Sequence, residues 1–173
     1  GGFADVSYRP QRGVQHTLRS TYIDDTLDIN DLGFLTRNDQ MNMDYNYSKI
    51  ESDVPGLRGR NTSIFITNQW NTQGQPVRTG LFFNRGYNFL NNNQLDYSIR
   101  YFPERIDDRL GRGTGDFRIT ERWGANLRYS TNRAEAISYN VSLNLDQDEL
   151  GPSRTQGSAG IVWRANDRFS TDL

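Results

Sequence analysis

His16 is the single histidine of this 173-residue chain, and Ser20 stands four residues along the same alternating segment. A serine-histidine hydrolase needs such a pair, converging on a third group that orients the base. Both residues have the apolar parity of their segment, away from the polar side chains that would complete a triad or a histidine-based metal site. An outer-membrane hydrolase of this type is therefore the third reading, and no catalytic residue is expected. The acidic stretch Asp24, Asp25, Asp28, Asn30 and Asp31 offers the hard oxygens calcium prefers. Its spacing does not match the EF-hand loop, and turn capping by Asp28, Asn30 and Asp31 is the expected role. Gly111-Arg112-Gly113-Thr114-Gly115 lacks the Gly-Lys-Ser/Thr ending of a phosphate loop and is followed by a strand pattern instead of a helix. Asp107 and Asp108, with Arg105 and Arg109, read as solvated loop charge. Cysteine is absent. No metal or cofactor is expected.

The chemistry that remains is arginine. Lys49 is the one lysine among 20 basic residues. Arg9, Arg19, Arg78, Arg100, Arg118, Arg122, Arg128 and Arg164 all fall on the polar parity of their segments, together with Asp5, Asp44 and Asp96. Guanidinium groups stay charged and bond carboxylates in a fork geometry, so such a set can line or brace a wet interior. The expected lining is Arg9, Arg19, Arg100, Arg118, Arg122, Arg128 and Arg164 with Asp44 and Asp96.

These residues need a scaffold with one polar and one apolar face. From Phe117 to Tyr129 the apolar parity is broken only by Glu121. From Ile137 to Leu145, Ile137, Tyr139, Val141, Leu143 and Leu145 alternate with Ser138, Asn140, Ser142 and Asn144. Successive strand side chains point to opposite faces. Half-buried strands of soluble sandwiches usually alternate over about 4–8 residues. Runs of roughly 9–14 approach the length a tilted strand needs to cross a bilayer. The same pattern recurs over 4–9, 14–22, 41–48, 63–70, 77–89, 94–101 and 157–165, and Phe169 opens one more. Short breaks are expected at 10–13, 90–93, 132–135 and 165–167, and long ones at 24–39, 104–116 and 148–156. The break at 51–60 fits that alternation poorly, being longer than the one at 71–76. Tyr8, Tyr22, Tyr47, Trp70, Tyr101 and Trp123 sit near segment ends, where interfacial girdles belong.

The fold class is all-β: an antiparallel transmembrane barrel of outer-membrane type, or a contiguous segment of a larger one, with about nine to ten strands in a single domain over 1–173. Composition agrees. Only 34% of residues are hydrophobic and mean hydropathy is −0.82, yet 12% are aromatic. A hydrated lumen lets half of each strand be polar. The formal net charge of −1 gives no argument for nucleic acid. The expected function is a pore, translocation conduit or membrane anchor in the bacterial outer membrane. Its partners would be the lipid bilayer, other outer-membrane or periplasmic proteins, or the remainder of the barrel. The alternative is a soluble or surface-exposed β-sheet module that binds carbohydrate through Trp70, Trp123 and Trp163.

Asp28-Ile29-Asn30-Asp31-Leu32-Gly33-Phe34-Leu35-Thr36-Arg37-Asn38-Asp39 resembles a signature of a bacterial family of unknown function. In that family the segment lies in a C-terminal barrel region, usually after a family-9-type carbohydrate-binding domain. The resemblance is sharp over 28–39 and looser over the rest, and it implies an outer-membrane barrel without implying an activity. Its chains are several times longer than this one. Since a barrel in lipid must pair its first and last strands, the chain is expected to be incomplete, with its outer strands paired to chain outside it.

Overall fold

The computed structural model describes residues 1–26, 38–107, 117–148, 151–166 and 169–172. Among these residues there is no helix. Ten antiparallel strands form one sheet in chain order: β1 (Gly2–Gln11), β2 (Val14–Ile23), β3 (Gln40–Glu51), β4 (Leu57–Trp70), β5 (Pro76–Phe89), β6 (Gln94–Phe102), β9 (Arg122–Ser130), β10 (Ile137–Gln147), β11 (Ser153–Asn166) and β12 (Phe169–Asp172). Two short strands, β7 (Arg105–Asp107) and β8 (Phe117–Ile119), pair with each other in a separate hairpin.

The alternation survives in register across the sheet. Val6, Leu18, Tyr45, Ile66, Leu81, Tyr101 and Trp123 form one cross-strand row. Leu95, Tyr129, Val141 and Ala159 belong to another on the same face. Opposite parity puts Gln15, Ser48, Ser63, Asn84, Ser98, Asn126 and Asn144 in a row on the other face. Because the side-chain period is two, a slip of one residue would exchange the faces. Among the described residues no second layer covers the apolar side. Among the described residues the buried hydrophobic side chains are Val14 and Val77, whereas Leu18, Leu81, Ile99, Leu127, Val141, Leu143 and Ile161 are exposed.

The rows do not run square to the strands. One of them joins Ser7, Thr17, Asn46, Phe65, Phe82, Arg100, Gly124, Asp146 and Arg154. It passes near the middle of β1 and β3 but reaches β10 next to its last residue and β11 at its second. From β1 to β11 the row thus drifts toward the long-loop end of the sheet, although not at every step.

The turns explain this regularity locally. Gln11 pairs with Val14, leaving a two-residue turn whose Gly13 has φ of 81°. A Cβ there would meet the Ile50 carbonyl oxygen at 2.2 Å, and the Ile50 amide donates to the Gly13 carbonyl at 2.7 Å. Only glycine fits both the left-handed backbone and that approach. In the β5–β6 turn Asn92 takes φ of 65°, a conformation asparagine tolerates.

Several boundaries differ from the expected ones. Ile119 and Trp123 do not share one strand: the run breaks at Thr120-Glu121, and β8 leaves the large sheet for the hairpin with β7. Periodicity continued through the break because the interruption preserves parity. Residues 105–107 of the expected 104–116 loop are strand. Leu57 to Arg60 pair with Phe89 to Tyr87, so the 51–60 break shrinks to 52–56 and no longer exceeds 71–75. Ser153 to Gln156 pair with Gln147 to Asn144, so the 148–156 loop is reduced to 148–152. The remaining long connections, 24–39 and 103–121, leave the same end of the sheet. Tyr22, Trp70, Tyr101 and Trp123 stand within one residue of the strand ends there. The outer edge of β1 pairs with no strand among the described residues.

Candidate functional site

The polar face of the large sheet carries most of the arginines and aspartates in question. Arg19 on β2 lies in register between Asp5 on β1 and Asp44 on β3, and its Nε donates to Asp5 Oδ2 at 2.8 Å. Asn42 Nδ2 donates to Asp44 Oδ2 at 2.8 Å, while Asp44 Oδ1 is buried without a hydrogen-bond partner among the described residues.

Arg100 and Asp146 lie two strands apart, on β6 and β10, with Gly124 of β9 in register between them. Arg100 Nε donates to Asp146 Oδ1 at 3.1 Å, and Nη2 makes a second, shorter bond to the same oxygen. A Cβ on Gly124 would lie 2.5 Å from each group. The missing side chain is what lets the pair close. Gly86 plays a similar part between Asn61 and Asp96, whose oxygens would lie 2.2 and 2.6 Å from its Cβ. Asp96 then faces Arg128 in register, and no ion pair of Arg128 is formed among the described residues. Asn61, Asn84, Asp96, Ser98, Asn126 and Arg128 line a depression of about 510 Å³ on this face.

The other expected lining residues separate into two groups. Arg9 and Arg164 keep polar-face parity near the short-turn end, where Arg9 borders a depression with Gln15 and Ser48, and Arg164 one with Ser138 and Asn140. Arg122 also keeps it, with its guanidinium 4.5 Å from the Phe102 ring centroid. Arg118 does not belong to the set. It sits on β8, outside the large sheet, with its Nη1 3.1 Å from Glu104 Oε1.

An aromatic row was not foreseen. Phe65, Phe82 and Phe102 occupy polar-face positions on β4, β5 and β6. Their ring centroids are 5.7 Å apart for Phe65–Phe82 and 5.3 Å for Phe82–Phe102, the latter edge-on. Gly80 leaves the space: a Cβ there would meet Phe82 at 2.8 Å and Phe102 at 3.3 Å. Phe65, Phe82, Asp44, Thr67 and Arg78 line a second depression of about 390 Å³. The available sequence signal is three phenylalanines with the wrong parity on neighbouring strands.

His16 faces the apolar side among Tyr8, Tyr45 and Tyr47, and its Nδ1 is 2.9 Å from the Tyr45 hydroxyl. Ser20 is two rows away, opposite Ala4 and Met43, about 13 Å along an extended strand. They form no catalytic pair. The three tryptophans sit in different rows, opposite Met41, Tyr101 and Ile137, and make no shared platform.

Asp28, Asn30, Asp31, Asp108, Arg109, the 111–115 glycine segment and all of the 28–39 signature except Asn38 and Asp39 lie outside the described residues. Within them, Asp24 accepts from the Thr26 amide at 3.0 Å, from the Thr26 hydroxyl, and from Tyr22 at 3.1 Å. The Thr26 bonds, ahead of the Tyr22 bond, hold its carboxyl at a pKa of about 2. No cluster of three or more histidine or acidic side chains among the described residues could hold a metal ion.

Comparison with curated proteins and with solved structures finds no match. A family model does match, over residues 4–173. This span covers every strand that builds the two faces, and the chain belongs to the family described as a domain of unknown function, DUF5916.

Proposed function

We propose that this sheet is wall from a transmembrane β-barrel of the bacterial outer membrane, with its apolar face in lipid and its arginine- and aspartate-bearing face lining a wet lumen. The observation that carries the reading is the single layer. In water, a contiguous exposed apolar face of this extent is unfavourable, and neither buried valine gives a core to offset it. In a bilayer the same face is an asset. The net drift of the register rows across the sheet supports the reading, because closing a sheet into a barrel requires tilt and shear. So does the girdle of Tyr22, Trp70, Tyr101 and Trp123 at one end,.

The function that follows is passive: a pore or conduit whose lumen charge is partly internally compensated, carried in a longer barrel associated with a family-9-type carbohydrate-binding domain. Asp5–Arg19 and Arg100–Asp146 are paired, whereas Arg128 borders the larger depression opposite Asp96 with no ion pair among the described residues. Flotation of the purified chain with neutral phosphatidylcholine vesicles is the test. A chain that stays soluble without detergent and does not float with the vesicles would sink the membrane reading and favour a soluble module.

A further inference from the structure

The apolar face of the ten-stranded sheet is almost free of charge. Outside the bulge at Arg58, its described charged side chains are Lys49 and Glu51 on β3, Arg60 on β4 and Arg85 on β5. All four gather at the short-turn end of three adjacent strands. Lys49 and Arg85 flank Thr62 in one row, and Glu51 and Arg60 occupy the next. Glu51 is fully used: Arg60 holds it through two bonds, Nε to Oε2 at 2.8 Å and Nη2 to Oε1 at 2.9 Å, and Lys49 Nζ lies 2.9 Å from Oε1. One carboxylate thus serves two cations, and Arg85 is left over. Its guanidinium carbon is 5.3 Å from the Tyr87 ring centroid, and its Nε is buried with no hydrogen-bond partner among the described residues.

A buried charged donor without an acceptor is costly, so this position calls for an anion. The neighbours define which one. The row carrying Lys49 and Arg85 borders directly on Tyr47, Ile64, Phe83 and Ile99, and Tyr87 and Tyr97 flank Arg85 with stacked rings 6.4 Å apart. Cations that meet an unbroken apolar surface through a tyrosine border match an amphiphile with an anionic head and hydrocarbon tails. A free anion would leave the apolar border uncovered. Long basic side chains near a strand end reach such a head while their stems stay on the apolar surface.

We propose that Lys49, Arg60 and Arg85 form a binding site for the phosphate head of an anionic phospholipid, which rests on the membrane reading above. The site sits at the short-turn boundary of the apolar face. Arg85 supplies the unpaired donor, Tyr87 and Tyr97 border the acyl chains, and Glu51 orients the other two cations.

The test uses the full chain in detergent with equal amounts of phosphatidylglycerol and phosphatidylcholine, followed by quantification of the lipid that copurifies. Phosphatidylglycerol should be enriched, and Arg85→Gln or Lys49→Gln should each reduce the enrichment about fivefold. Arg154→Gln removes the same charge from the opposite face and should leave it unchanged. Equal retention of both lipids, or an equal loss in Arg154→Gln, overturns the site. Where a substituted chain fails to fold, salt decides: enrichment by the intact chain should collapse near 1 M salt, and enrichment that ignores salt overturns the proposal. Flotation with pure phosphatidylcholine vesicles keeps the two readings apart. A chain that floats without preferring phosphatidylglycerol loses the headgroup site alone, and one that never floats loses the membrane reading with it.

Discussion

Arg100 of β6 bonds Asp146 of β10 directly over the backbone of Gly124, skipping the strand between them. Gly124→Ala should therefore act as an overpacking substitution and lower stability by about 1–3 kcal/mol. Gly157→Ala is the matched comparison, since its Cβ would meet nothing nearer than the Ser142 carbonyl at 4.0 Å. Denaturant midpoints in detergent measure both, and equal costs would mean that the gap at Gly124 is incidental.

Val141 and Ser142 are consecutive on β10 and face opposite sides. Val141→Arg should cost about 2–4 kcal/mol if the position lies near a bilayer midplane. Ser142→Arg should cost far less, although it breaks the 2.7 Å contact with Ser158. Similar losses at the two positions would contradict the assignment of faces.

Conductance should separate the arginines by their partners. Arg128→Gln is expected to reduce anion preference in planar-bilayer recordings, because its guanidinium borders the depression and forms no ion pair among the described residues,. Arg100→Gln should change selectivity in the same direction but also expose the charge of Asp146. Absence of current from the intact chain would instead favour a braced, closed lumen, or a barrel that conducts only with a partner.

The turn after β2 should be acid-resistant. The Asp24 carboxyl is held at about 2 by its Thr26 bonds, below the usual value near 3.9. A depressed folded-state pKa stabilises the turn above the unfolded value and releases that contribution as pH falls through the folded one. The turn should persist from about pH 4 down to about pH 2 and open below that. The Thr26 amide resonance followed by NMR should titrate with a midpoint near 2; a midpoint near 4 would mean the capping bonds are not held in solution.

Much of this architecture is legible in the chain because alternation is a one-dimensional property. Val141 against Ser142, or Leu127 against Arg128, can be assigned to faces without knowing what either touches. Cross-strand position is different, since it depends on how many residues each turn consumes. That is why Arg118 appeared to share a face with Arg122 although the break at Thr120-Glu121 sends it to another sheet. The same limit hid the glycine gaps. Gly86 and Gly124 read as weak strand residues until the register places Asp96 and Asp146 beside them. Phe65 breaks the parity of its own strand, and Phe82 and Phe102, which explain it, are brought alongside only by the register.

Every ladder of the large sheet joins strands that follow one another along the chain, apart from the detour through β7 and β8. This sets the order in which it can assemble. Loop closure between successive strands spans short stretches of chain, and its entropy cost grows slowly with length. The sheet can therefore grow by adding hairpins to a finished edge, with no pairing that must wait for distant residues. The outer edges of β1 and β12 are the exceptions, since neither has a neighbour among the described residues. Any pairing between those two edges would join the most distant strands of the sheet, and non-local strand pairing is slow. Folding kinetics should consequently show fast zippering from β1 to β12, with any pairing of the two edges as a separate, late step.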